Sequence, residues 1–236
     1  MKIEHYDSRR WPITLAPSSA LERWTPSWHG LHRLTECKSP FAESRYKAAE
    51  DKAHGLGLLS EREYEIDCVL AVMQAVKGPT MTFMEIGAGY GEWCMAVNGV
   101  VRNRIAPTAI QRVTAYAVEA EPTHHKWCVE HFDAHNLKGE VVWGAVADKD
   151  GDCRFSVMPN AADWYGQSLT VGNGLLRTAS NLLRRKSVRV HCHTVDTVLE
   201  MLEIQRVDLV HVDVQGAEAR VVRGAERAIR EGKVDW

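Results

Sequence analysis

The sequence predicts a doubly wound α/β fold built on a mainly parallel sheet, and three observations carry that reading. From Ser60 onward, short apolar runs alternate with segments of helical period, the pattern of strands covered by crossover helices. The first strong strand runs straight into the glycine turn Gly87-Ala88-Gly89-Tyr90-Gly91, the place where open α/β sheets bind ligands. Composition is ordinary for a globular chain, with 45% hydrophobic and 25% charged residues over 236 positions, enough for one α/β domain and an extension.

The chain divides at residue 60. Residues 1–59 hold Pro12, Pro17, Pro26 and Pro40 and the tryptophans Trp11, Trp24 and Trp28, with no sustained period. They read as an N-terminal arm or lid that packs its tryptophans on the main domain or a second subunit. Residues 60–236 read as the cofactor-binding domain. Ser60 and Glu63 form a capping-box pattern, and Ile66, Val69, Leu70, Met73 and Val76 follow at helical spacing before Gly78-Pro79. Next come a strand at Thr82–Ile86, a helix at Glu92–Arg104, a strand at Val113–Val118 and a helix at Thr123–Asn136. Strands at Glu140–Ala145, Cys153–Val157 and Ser187–His193 follow, then a short helix through Leu202, the strand Val207–Val212 and a helix at Glu218–Glu231. Asn160–Gly174, rich in Gly and Asn, reads as a loop over the sheet edge. The chain ends at Val234-Asp235-Trp236, which reads as the opening of a further strand. A sheet lacking its last two, C-terminal strands is therefore expected, with an edge that the arm or a homodimer partner covers.

Charge and cysteines narrow the classes. Lysine and arginine number 29 against 31 acidic residues, so nothing pulls the chain toward phosphate backbones and nucleic acid is not an expected partner. The six cysteines include no C-x-x-C pair, which argues for buried thiols in a reducing compartment and against a metal site. A metal at Val190-His191-Cys192-His193 lacks further ligands at readable spacing. No apolar run approaches the roughly eighteen residues of a membrane span, and none follows the N-terminal arginines as in a secretory signal. A soluble, cytoplasmic protein is expected.

Three motifs carry chemistry. In Glu85-Ile86-Gly87-Ala88-Gly89-Tyr90-Gly91-Glu92 the glycines follow G-x-G-x-G, and Glu92 stands where a dinucleotide fingerprint needs its last glycine. Glu85 would repel a pyrophosphate and suits the ammonium of a methionine group. Glu119, in Val118-Glu119-Ala120-Glu121-Pro122 at the end of the next strand, suits the hydroxyls of a ribose, while Glu121 is placed to cap the helix after it. In Val210-His211-Val212-Asp213-Val214-Gln215-Gly216 the strand brings His211 and Asp213 to one face at its carboxyl edge.

Together with Thr194-Val195-Asp196 and Ala147-Asp148-Lys149-Asp150-Gly151, these motifs resemble the FkbM-type methyltransferases over about residues 80–230. The resemblance implies a Rossmann-like class I methyltransferase fold and methyl transfer from S-adenosylmethionine to a hydroxyl of a small molecule or glycan. It implies a cofactor site of Glu85, Gly87, Ala88, Gly89, Gly91, Glu119, Ala120, Ala147, Asp148 and Asp213. Asp213 is the first candidate for the acceptor end, with His211 or His193 as the assisting base. Two positions depart from the family pattern: Gln215 replaces a usual glutamate, and His211 stands where lysine is common. The rival classes are a cofactor-binding protein without catalysis and a nicotinamide-dependent oxidoreductase on the same fold. A nucleic-acid base methyltransferase would carry an Asn/Asp-Pro-Pro-aromatic element, and Asp213-Val214-Gln215-Gly216 stands in its place.

Overall fold

The first apolar run becomes the strand on which the whole fold is registered. In the computed structural model, which describes residues 23–26, 31–38, 40–162, 168–169 and 186–236, two short strands, β1 (Trp24–Pro26) and β2 (His32–Leu34), come first and pair antiparallel. Helices α1 (Pro40–Gly55) and α2 (Glu61–Ala75) precede strand β3 (Thr80–Ile86). The alternation expected from the sequence continues with α3 (Glu92–Arg102), β4 (Arg112–Glu119), α4 (Pro122–Ala134), β5 (Lys138–Trp143) and β6 (Ala145–Val146). Then come β7 (Gly151–Val157), β8 (Ser168–Leu169), β9 (Lys186–His193), α5 (Val195–Met201), β10 (Leu209–Val212), α6 (Glu218–Gly224) and α7 (Glu226–Arg230).

Four strands form a parallel sheet in the order β10-β3-β4-β5, flanked by helices. The chain moves outward from β3 to β5 and later returns to β10 on the other side. The carboxyl ends of β3 and β10 therefore flank the point where strand order reverses, the crevice in which such sheets bind ligands. Side-chain alternation splits the core in two. Phe83, Ala115 and Ala117 join the cluster under α2, α3 and α4, while Met84, Ile86 and Val118 join the cluster under α5, α6 and α7. Glu85 shares the face of Phe83, which aims it at α3.

The capping box of α2 is complete: the Glu63 amide donates to Ser60 Oγ at 3.3 Å and the Ser60 amide to Glu63 Oε2 at 2.8 Å. Ile66, Val69, Leu70 and Met73 line its buried side, as their spacing predicts. Glu121 caps α4 by accepting from the His124 amide at 2.6 Å. Among the described residues, no helix is long and apolar enough to cross a membrane.

Several expectations change. A second sheet, β6-β9-β7-β8, contains the antiparallel pair β7–β9; strand direction is a tertiary property that alternation cannot encode. Within the expected loop Asn160–Gly174, Ser168–Leu169 pairs with β7 as a strand, and the rest beyond Ala162 lies outside the described residues. The single helix expected at Glu218–Glu231 breaks at Ala225, which leaves helical geometry at φ −103 and ψ 7. Asp196 on α5 supplies the reason: its carboxylate accepts from the amides of Arg227 and Ala228 and so caps a second helix. The segment expected to open a strand at Val234 pairs in parallel with Val207.

The N-terminal segment contains regular structure that its irregular texture hides, the 16-residue helix α1 above all. Leu31, Leu34 and Cys37 are buried in the same cluster as Phe83 and Phe132. Trp24 sets its ring edge-on to His131 and His135, 5.4 and 5.6 Å between centroids; Trp11 and Trp28 lie outside the described residues. The Leu34 amide donates to His131 Nε2 at 2.9 Å, while His131 Nδ1 donates to the Trp127 carbonyl at 2.6 Å. His131 is therefore neutral, with its proton on Nδ1.

Burial holds His131 at about 3, against its ordinary 6.5. Below pH 6.5 the unfolded chain takes up a proton that the folded chain refuses. The contribution of this residue is thus complete above that pH and falls as pH drops toward the folded value. In thermal melts, the wild-type advantage over His131→Gln should shrink between about pH 7.5 and about pH 5. A constant difference would refute the neutral assignment.

Candidate functional site

Loop 87–91 leaves β3 with left-handed backbone at all three glycines, φ 78 at Gly87, 56 at Gly89 and 82 at Gly91. The amides of Gly87 and Ala88 both donate to the Val118 carbonyl, and the Asp213 amide donates to the Ile86 carbonyl at 2.9 Å. The loop is thereby tied to the ends of β4 and β10. A Cβ on Gly87 would lie 2.0 Å from the Asp213 carbonyl oxygen, so the two segments can touch only because residue 87 has no side chain.

Two buried acids hold the loop from behind. Glu85, 3% exposed, accepts from the amides of Trp93 and Cys94 at 3.2 and 2.9 Å. Burial pushes its carboxyl up to about 8, against the pull of those amides. It borders the cavity at the crevice between β3 and β10, but its oxygens face the start of α3. Glu119, 5% exposed, accepts from Gly89 N–H at 2.6 Å and from Glu121 N–H at 2.7 Å. Burial raises it as well. A carboxylate has about four lone-pair positions, so these two bonds leave Glu119 able to accept from a diol.

A cavity of about 400 Å³ opens at the crevice between β3 and β10. Gly87, Ala88, Trp93, His211 and Asp213 line it together with Glu61, Arg62 and Glu65 of α2. His211 lies tilted on Trp93, 5.0 Å between centroids and 35° between planes. Burial lowers it to about 4, opposed only by Glu92, so it is neutral at pH 7. Its Nδ1 is buried without a hydrogen-bond partner among the described residues. Asp213 stands at the mouth, raised from its ordinary value by partial enclosure, and accepts from Gln215 Nε2 at 2.8 Å. A glutamate at 215 would repel that carboxylate; the glutamine present donates to it.

The expected residues thus fall into groups. Glu85, Gly87, Ala88, His211 and Asp213 meet in one cavity; Glu119 and Gly89 are bonded to each other but are not among its lining residues. Ala120 and Ala147 share a separate buried cluster with Val190. Asp148 forms an ion pair with Arg220, whose guanidinium lowers the carboxyl from its ordinary value. His193 is buried on the second sheet with its ring 4.7 Å from His191, and it does not line the cavity. Arg62, Trp93 and the partners of Glu92 escape sequence reasoning. Arg62 is one exposed-looking arginine in a capped helix, and Lys38 sits in a segment without period. The only signal was the position of Glu92 directly after the loop.

Residues 85–235 match the methyltransferase FkbM domain family. No curated protein matches the chain.

Two glycines with left-handed backbone separate strain from contact. Gly216, at φ 100, has open space where a Cβ would go, so Gly216→Ala should cost only the backbone penalty of about 1–2 kcal/mol. Gly87→Ala adds a collision with the Asp213 backbone and should cost more than about 3 kcal/mol. Urea denaturation of both variants checks this, and equal costs would mean that the Gly87–Asp213 contact is unimportant.

Proposed function

The chain belongs to the FkbM methyltransferase family, and we propose that it transfers the methyl group of S-adenosylmethionine to a hydroxyl of a small molecule or glycan. The observation that carries this reading is the convergence of the glycine loop, His211 and Asp213 on one cavity. Its volume of about 400 Å³ falls within the range of small-molecule sites. S-adenosylmethionine supplies a methyl on a sulfonium, which an oxygen nucleophile takes by in-line displacement.

The residues support both ends of the cofactor. In this reading Glu119 accepts from ribose hydroxyls while it holds Gly89 in position. The loop's missing side chains let a ligand approach its backbone. At the acceptor end, Asp213 orients the hydroxyl by accepting its hydrogen bond, and Gln215 fixes the rotation of that carboxylate. His211, neutral and lining the cavity, would take the proton as the new bond forms. The wall of Glu61, Glu65 and Asp213 disfavours a phosphate backbone, which supports a small acceptor. Glu92 counts against a nicotinamide dinucleotide, because it fills the position of the third glycine and is itself engaged by Arg62.

Calorimetric titration with S-adenosylmethionine and with NAD decides the cofactor; tighter binding of NAD would sink the reading. Asp213→Asn should lower kcat by about 10²-fold or more while leaving cofactor affinity nearly unchanged, and equal loss of both would move Asp213 into the cofactor site. Glu119→Ala should show the reverse, weakening cofactor binding by about 1.5–3 kcal/mol.

A further inference from the structure

Charge on the α2 wall of the cavity is uneven. Glu65 is pushed up to about 7 by burial and then by Glu61, Asp213 and Glu92, so this wall is crowded with carboxylates. Arg62 is the one cationic side chain lining the cavity among the described residues. Its Nη2 donates to Glu92 Oε1 at 2.7 Å. The other oxygen of Glu92 takes Lys38 Nζ at 3.1 Å, from a lysine side chain only 5% exposed. The Tyr90 hydroxyl donates to the same carboxylate, and Lys38 lies over the Tyr90 ring, 5.5 Å from its centroid. Both cations contact the one carboxylate, and Arg62 is the member of the network that brings a cation to the cavity lining.

We propose that Arg62, backed by Glu92 and Lys38, receives the carboxylate of the cofactor's methionine half. The inference rests on the S-adenosylmethionine reading and assigns a role to residues that precede the family match, which begins at Glu85. A guanidinium has five N–H donors in a planar fork and can serve two carboxylates at once. The surrounding acids complete the complement of an amino-acid zwitterion: the carboxylate meets the single cation and the ammonium faces Glu61 and Glu65. Glu85, whose oxygens are bonded to α3, is released from the ammonium role. Lys38 is a positioning residue. It offsets the charge of Glu92 so that Arg62 is not drawn wholly onto it.

The test compares two ligands by calorimetry on the full chain: S-adenosylhomocysteine, and 5′-methylthioadenosine, which lacks the amino-acid carboxylate. Arg62→Ala should weaken S-adenosylhomocysteine about tenfold or more and leave 5′-methylthioadenosine within about twofold of wild type, which also shows that the variant is folded. Lys38→Met should give a smaller loss of the same selectivity, and Lys38→Arg should restore it. If Arg62→Ala does not fold, Arg62→Gln takes its place with the same expectation. Equal weakening of both ligands, or no weakening of either, overturns the proposal. If the wild type binds neither ligand, the S-adenosylmethionine reading itself fails, an outcome distinct from loss of selectivity in the variant.

Discussion

The close approach of Gly87 to the Asp213 carbonyl is the contact on which the site depends. Parallel pairing of β3 with β10 brings Glu85 opposite His211 and Ile86 opposite Val212, and the Asp213 amide then closes onto the Ile86 carbonyl. That geometry leaves no room for a Cβ at residue 87. Because the two strands meet where the chain reverses its order across the sheet, their ends diverge above this contact and the cavity opens there. The glycine loop, His211 and Asp213 share one site because a single backbone contact fixes one strand end against the other.

Around that contact, buried acids are satisfied by backbone amides before any ligand arrives. Glu85 accepts from the first turn of α3, and Glu119 accepts from Gly89 and Glu121. A buried carboxylate without such donors would cost several kcal/mol, so each acid fixes its own neighbourhood as the condition of being buried. Glu119 thereby links the loop to the start of α4. The loop that would hold a cofactor is preorganised, which lowers the entropy lost on binding.

The N-terminal segment contributes to the same site through packing and charge. Leu31, Leu34 and Cys37 complete the cluster beneath α3 and α4, and the bond from Leu34 to His131 ties the segment to α4. Lys38 follows directly and reaches Glu92 at the base of the loop. A change in the packing of this segment would therefore be felt at the cavity wall, through Glu92 and Arg62.

Local sequence determined what depends on near neighbours. The period of Ile66–Met73, the Ser60–Glu63 box, the glycine turn, and the exit of His211 and Asp213 from one strand each follow from spacing, because backbone geometry converts spacing directly into direction. The order of motifs was enough to indicate the methyltransferase family. Tertiary structure alone decided the rest. Glu85 and Glu119 read alike in the sequence, yet Glu85 is turned onto the amides of α3 and Glu119 onto that of Gly89, 30 residues away, contacts that the folded chain supplies. His193 and His211 look alike in sequence, since both are histidines near strand ends, but they stand on different sheets. Arg62 and Lys38 carry no local mark at all, for their meaning lies in a carboxylate 30 and 54 residues away. An ion pair has no period, so a charge network can be located only once the strands and helices have placed its members.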